Sequence, residues 1–379
     1  MRTAVQVDKI SKEMCERLLR DLELAKRPVL HAIKTTLDNT KYDPKVGYLT
    51  PAGKYVATEL NVSSVKKMSR AIFVLEVMLR NVETGGVNTK REIYYMAKGE
   101  LKQNKALKAL EFDDQDESDA TIDFICELLE AYREDLNCYA NDRGGQTYSQ
   151  QLVVTETMSD GTTAEVDLSS LGTTPFQPRN RPQALKLRAK KKIDFCVIVE
   201  SEGTANTLQA NGFTKRNASI LMGAQGVPSN AVRGWAKLIQ DQLKIPMFFF
   251  GDLDAYTMQN IFRTLKAGSA ASLIRNSDFS APDVKFLGVL PSDIKKYELP
   301  DYAVREQDLQ EGRALKKAAD ALNDPFFKDK RNKGLSAILH WLIENKRRCE
   351  QQAYFSVTPR DPQKPEKIII EKIKNGDYV

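Results

Sequence analysis

The spacing of apolar positions changes along the chain. Over residues 10–23, Ile10, Met14, Leu18, Leu19 and Leu22 recur every three or four positions among charges, which predicts an amphipathic helix. Such a face packs on its own domain or docks a partner, and spacing alone favours the first. Residues 64–139 predict a compact helical unit: a helix over 69–80, a turn over 81–88 containing Gly85 and Gly86, a second helix from Thr89, and a third over 120–137. Thr89-Lys90-Arg91-Glu92 reads as a capping box, in which hydroxyl and carboxylate satisfy the free amides that open a helix. A helix, a tight turn and a capped second helix suggest a helix-turn-helix or winged-helix module, which presents its second helix to duplex DNA. Seven acids between Glu111 and Asp123 read as a solvated loop. Residues 141–192 shift to Gly, Ser, Thr, Gln and Pro with alternating stretches at 151–155 and 163–168, an interdomain region with strands. Beyond it, 195–199 and 247–250 are short, continuously apolar runs separated by helical stretches, as strands buried on both faces should be. The fold class is mixed α/β.

Composition narrows the classes. The 379 residues are 41% apolar and 28% charged, the profile of a globular protein of two or three domains. The most apolar short stretch, 245–250, contains Pro246 and falls far short of the ~20 residues of a spanning helix, so no membrane association is expected. Five scattered cysteines and a charged N-terminal segment predict a reducing cytoplasm. The net charge of +6 permits a polyanionic partner without demonstrating one. Locally, Arg179, Arg181, Lys186, Arg188, Lys190, Lys191 and Lys192 crowd one segment, either touching phosphates or forming a solvated linker. With two histidines and no cysteine cluster, any metal should be a hard cation held by carboxylates, and any nucleophile a Ser, Thr or Tyr.

Both apolar strands end in acids. The first runs into Glu200, the second through Gly251 into Asp252-Leu253-Asp254. In an open α/β sheet ligands bind at the carboxyl ends of strands. A period of two puts Asp252 and Asp254 on one side with Leu253 turned away, and such carboxylates either complete a magnesium site or cap the helices that follow. A second candidate is the pair Tyr94 and Tyr95 on the capped helix. Arg91 precedes them by three and four positions and reaches either ring, although aromatic pairs on helices are usually core.

Taken together, Thr-x-Arg-Glu-Ile-Tyr-Tyr, then Val-Ile-Val-Glu200, then Gly226-Val227-Pro228 with Arg233, then Gly251-Asp252-x-Asp254, and finally Phe286-Leu287-Gly288-Val289-Leu290-Pro291-Ser292-Asp293, resemble the DNA-cleaving chain of DNA topoisomerase VI and the meiotic double-strand-break transesterases. The resemblance runs from about residue 70 to the C-terminus. It implies a CAP-like winged-helix domain followed by a Toprim domain with a central, mainly parallel sheet, divided as 1–63 (N-terminal helical extension and docking segment), 64–150 (winged helix), 151–192 (interdomain) and 193–379 (Toprim with C-terminal helices). It implies Tyr95 as nucleophile with Tyr94 as alternative, Arg91 on the scissile phosphate, and Glu200, Asp252 and Asp254 holding Mg2+, Glu200 also passing protons. Lys90, Arg233, Lys190, Lys191 and Lys192 are its candidate DNA contacts. The implied activity is magnesium-dependent transesterification leaving a 5′-phosphotyrosyl link on each strand, with ATP-driven duplex passage, relaxation and decatenation. No Gly-rich nucleotide loop occurs in the chain, so ATP would be bound by an ATPase B subunit. Family members share each active site between two cleavage subunits, which implies a homodimer within an A2B2 assembly on double-stranded DNA, in a nucleoid-associated cytoplasmic location.

A break-forming transesterase that does not reseal, a Toprim nuclease using water, and a DNA-binding scaffold that has lost its chemistry are the competing readings. Three departures from the family pattern are present, of which the turn after Asp254 makes the scaffold conceivable, while the retained acids, arginines and tyrosine imply an active, divergent enzyme. Ala255-Tyr256-Thr257 replaces Pro-x-Gly after Asp254, Gln225 replaces a lysine before Gly226, and Ser201-Glu202-Gly203 replaces Lys-Asp-Ala after Glu200.

Overall fold

A computed structural model describes residues 4–139, 145–158, 161–178, 185–304, 309–357 and 361–379. Arg179 and Arg181 lie outside the described residues. By packing, the chain forms two compact units, one of Met1–Thr40, Pro51–Asn141 and Ala270–Arg275, the other of Lys41–Thr50, Asp142–Ser269 and Asn276–Val379.

The first unit is helical. Helix α1 (Ala4–Glu23) divides its apolar stripe: Val7, Met14 and Leu18 enter the unit's core, while Leu19 and Leu22 stay exposed. Helix α2 (Val65–Thr84) is longer than its pattern predicted and stops at Gly85, whose positive φ of 69° suits a residue without a Cβ. Helix α3 (Lys90–Gln103) carries the expected capping box. The Glu92 amide donates to the Thr89 hydroxyl at 3.2 Å, and the Thr89 amide donates to the Glu92 carboxylate at 2.6 Å. Ile93, Tyr94, Ala97 and Leu101 form its buried face.

The acidic segment is not a loop. Helix α4 (Gln115–Leu129) begins inside it, with Asp114 accepting the Glu117 amide at 3.0 Å as N-cap. Asp116 and Glu117 occupy the first turn, where the helix dipole favours negative charge, and Glu117 pairs with Arg70 at 3.0 Å. The third helix was expected to reach residue 137. Instead Glu130 turns left-handed at φ 44° and a short 3-10 turn, Arg133–Leu136, follows.

That turn buries Glu134, 7% exposed, with one carboxylate oxygen accepting from the Arg133 guanidinium at 3.2 Å and the other without a hydrogen-bond partner among the described residues. Burial, opposed by Arg133, pushes its carboxyl from 4.5 up to about 7. A raised folded-state value favours the neutral form, so the associated stability is present below pH 4.5 and is lost as pH rises through about 7. Glu134→Gln should remove that slope. Denaturant unfolding between acidic and mildly alkaline pH should show the variant losing less stability than wild type, by at most roughly 3 kcal/mol.

The second unit is built on a five-stranded sheet of β1 (Gln146–Ser149), β2 (Phe195–Val199), β3 (Ser219–Gly223), β4 (Met247–Phe250) and β5 (Lys285–Gly288), in the order β5-β4-β2-β3-β1. Four strands are parallel and β1 runs antiparallel at one edge. Continuous apolar sequence in β2, β3 and β4 matches strands buried throughout almost their whole length. The stretch read as interdomain contributes an antiparallel three-stranded sheet, with Leu152–Thr157 between Leu185–Ala189 and Thr163–Asp167. No helix among the described residues is long and apolar enough to cross a membrane.

Candidate active site

On the helical unit, α3 separates the two tyrosines. Successive residues on a helix point about 100° apart, so the apolar face that takes Tyr94 leaves Tyr95 outside. Tyr94 is 7% exposed, packs in the core and accepts a hydrogen bond on its hydroxyl from the Lys98 ammonium at 2.8 Å. Tyr95 is 57% exposed, and the Arg91 guanidinium lies 5.9 Å from its ring centroid, within cation–π range. Lys90 turns towards α4, with its ammonium 3.4 Å from Asp119 and 3.6 Å from Asp123.

On the second unit, parallel register aligns Val199 with Gly223 and with Phe250, so Glu200 and Gly251 leave the sheet side by side. The Glu200 amide donates to the Phe250 carbonyl at 2.9 Å. Glu200 Oε2 accepts the Asp252 amide at 3.1 Å and the Thr257 hydroxyl at 2.9 Å. Gly251 permits this approach, since a Cβ there would lie 2.6 Å from Glu200 Oε2. Leu253 is buried, turned away between the two aspartates as the alternation predicted. Asp254 Oδ1 accepts the Thr257 amide at 2.7 Å, and Asp252 Oδ1 accepts the Gln351 amide at 2.8 Å.

Each acid therefore commits one oxygen to the scaffold, and among the described residues no hydrogen bond engages the other. Burial first, then the charges of Asp252 and Asp254, raises the Glu200 carboxyl; burial, with Asp254 and Glu350, raises that of Asp252. Like charges held together in a half-buried crevice fit a hard divalent cation, whose charge would relieve them. Among the described residues, no group of three or more His, Cys, Asp or Glu side chains is gathered closely enough to hold a metal ion.

Several supporting contacts left no trace in the sequence pattern. Leu253 and Cys349 bond each other's backbones at 2.8 and 3.3 Å, which brings Gln351 to Asp252. Beneath the loop, buried Asp293 accepts the Leu290 amide at 2.7 Å and the Tyr354 hydroxyl at 2.8 Å, and pairs with the fully buried Lys372. The Gly251 amide in turn donates to the Gly288 carbonyl at 2.7 Å. Two of the departures from the family pattern meet: the Gln225 amide group donates to the Glu202 carboxylate.

The basic candidates divide. Arg233 is buried, 3% exposed, and donates to the Phe279 carbonyl at 3.0 Å and to the Asn230 and Asn276 side chains at 3.4 Å, which ties it to the interior of its unit. Lys190 pairs with Asp167 and Lys192 with Asp194 at the surface, and Lys191 is exposed.

Residues 195–364 match the family of the Toprim domain shared by the topoisomerase 6 A-chain and Spo11, and residues 66–138 match the family described as "Type IIB DNA topoisomerase". The fold and these two matches are those of a type IIB topoisomerase cleavage subunit. The chain is similar to the A-chain of type 2 DNA topoisomerase 6 from Methanocaldococcus jannaschii, 31% identical over 83% of this chain and 81% of the relative. The corresponding chains of Pyrococcus horikoshii and Saccharolobus shibatae are each 25% identical, over 96% and 99% of this chain and 93% and 98% of theirs. This chain belongs to the family of topoisomerase VI cleavage subunits.

Proposed function

We propose that the chain cleaves double-stranded DNA by transesterification from Tyr95 with magnesium, as the cleavage subunit of a heterotetramer whose B subunit binds ATP. The observation that carries this reading is the contrast on α3: Tyr95 is exposed beside Arg91, while Tyr94 is committed to the core and to Lys98.

The Tyr95 oxygen attacks a backbone phosphorus as the bond to the 3′ oxygen breaks. The products are a 5′-phosphotyrosyl ester and a 3′ hydroxyl, and the ester keeps the bond energy for resealing. The phenol loses its proton and the leaving oxygen gains one, with Glu200 placed in the same crevice as the other acids to pass protons. Arg91 forms charge-assisted bonds to the non-bridging phosphate oxygens. Glu200, Asp252 and Asp254 would hold Mg2+, which supplies charge neutralisation at the phosphate when bound. Gln351, Thr257 and Gly251 keep those acids oriented. The tyrosine and the acids lie on different units of the chain, and the reading adds, from the family resemblance, a homodimer that shares each site between two copies and passage of a second duplex driven by ATP on the B subunit. Lys190, Lys191 and Lys192 remain candidates for the DNA backbone, where contact is independent of sequence.

The test is to incubate the protein with its ATPase partner, Mg2+ and supercoiled plasmid, then denature. Linear DNA with protein on its 5′ ends is the expected result. Relaxation without any protein-linked intermediate, or nicking that leaves free 5′ phosphates, contradicts the reading.

A further inference from the structure

Thr257 stands where the family pattern carries glycine, two residues beyond the altered start of the turn. Its side chain is fully buried, and it serves two acids at once. The hydroxyl donates to Glu200 Oε2 at 2.9 Å and the backbone amide to Asp254 Oδ1 at 2.7 Å. Asp254 would keep its donor with any residue but proline at this position, because the donor is main chain. Glu200 would not, because only a side-chain hydroxyl supplies the second donor to Oε2 beside the Asp252 amide. Two donors converging on one carboxylate oxygen define the rotation of the whole group and leave Oε1 as the oxygen available to a ligand.

The surroundings reinforce this. Gly251 gives Oε2 room, since a Cβ there would intrude to 2.6 Å. Behind Thr257 the chain continues in a wide π-helical turn, Thr257–Phe262, with Met258, Ile261 and Phe262 buried, so the hydroxyl is carried on a packed support. The pieces that hold Glu200 thus come from both sides of Asp254, and Thr257 is the piece the usual glycine lacks.

We infer that Thr257 is a positioning residue for the divalent cation, its hydroxyl fixing the Glu200 carboxylate so that the opposite oxygen is presented as a ligand. The inference rests on the metal reading of the three acids. Groups that orient a ligand from behind typically change metal affinity by about 10- to 100-fold when removed.

Direct binding of Mn2+ to the full chain, followed by the loss of the free-ion electron paramagnetic resonance signal, tests it without recourse to activity. Thr257→Val keeps the buried volume and deletes the hydroxyl, whereas Thr257→Ser keeps the hydroxyl and deletes the methyl. We expect Thr257→Val to bind Mn2+ about tenfold more weakly than wild type and Thr257→Ser to bind as wild type does. Wild-type affinity in Thr257→Val, or equal weakening in both variants, would overturn the positioning role. Asp252→Ala serves as the control on the underlying reading. If it binds Mn2+ as tightly as wild type, the acids are not the metal site and the inference falls with that reading; if it weakens binding while Thr257→Val does not, only the inference falls.

Discussion

Tyr95→Phe should abolish the covalent protein–DNA intermediate, lowering cleavage by roughly 10⁴-fold or more, as removal of a nucleophile does elsewhere. The substitution deletes one oxygen from an exposed ring, so neither folding nor DNA binding should change measurably. Tyr94→Phe is the matched control. It removes an equivalent oxygen, but one inside the core that accepts a hydrogen bond from Lys98, so the expected cost is about 1 kcal/mol of stability with cleavage reduced less than about tenfold. Protein-linked DNA on a denaturing gel separates the two. Retention of the adduct in Tyr95→Phe together with its loss in Tyr94→Phe would reverse the assignment.

Asp252→Ala and Asp254→Ala should each reduce magnesium-dependent cleavage by roughly 100-fold or more, with part of the loss recovered at high Mg2+. Each alanine also strands a backbone donor, the Gln351 amide in one case and the Thr257 amide in the other, at a cost of about 1–3 kcal/mol. Asparagine separates these effects. Its amide oxygen still accepts from the backbone while the charge is gone, so Asp252→Asn and Asp254→Asn should fold as stably as wild type and still cleave poorly. In the absence of metal they should even gain stability, because one charge that opposes ionisation of Glu200 has been removed. Cleavage rates across a Mg2+ titration, paired with unfolding curves, measure both. Wild-type Mg2+ dependence in either asparagine variant would exclude that residue from the metal site.

What could be read from the chain was what depends on neighbours in sequence. The capping box of α3 and the apolar strands ending in Glu200 and in Asp252-Leu253-Asp254 are local patterns, and they fold as read. Helix ends were harder, because α2 continues until a left-handed Gly85 stops it and α4 ends where Glu130 takes the same conformation without being a glycine. The acid-rich segment held its own signal, Asp114 followed three residues later by Glu117, which charge density obscured. The tyrosine pair could have been resolved from periodicity, since Ile93, Tyr94, Ala97 and Leu101 make one buried stripe that excludes Tyr95. Arg233 donates to Phe279 and Asn276, 46 and 43 residues away, contacts that no local pattern shows. No local pattern could have shown Gln351 at Asp252 or Lys372 at Asp293, contacts spanning 99 and 79 residues.

The most direct test is to identify the residue that carries DNA. Cleavage complexes trapped with the ATPase partner, Mg2+ and duplex DNA, digested by nuclease and protease and read by mass spectrometry, should yield a peptide with a nucleotide joined through its 5′ phosphate to Tyr95. A nucleotide on Tyr94, on any other side chain, or joined through a 3′ phosphate would contradict the account.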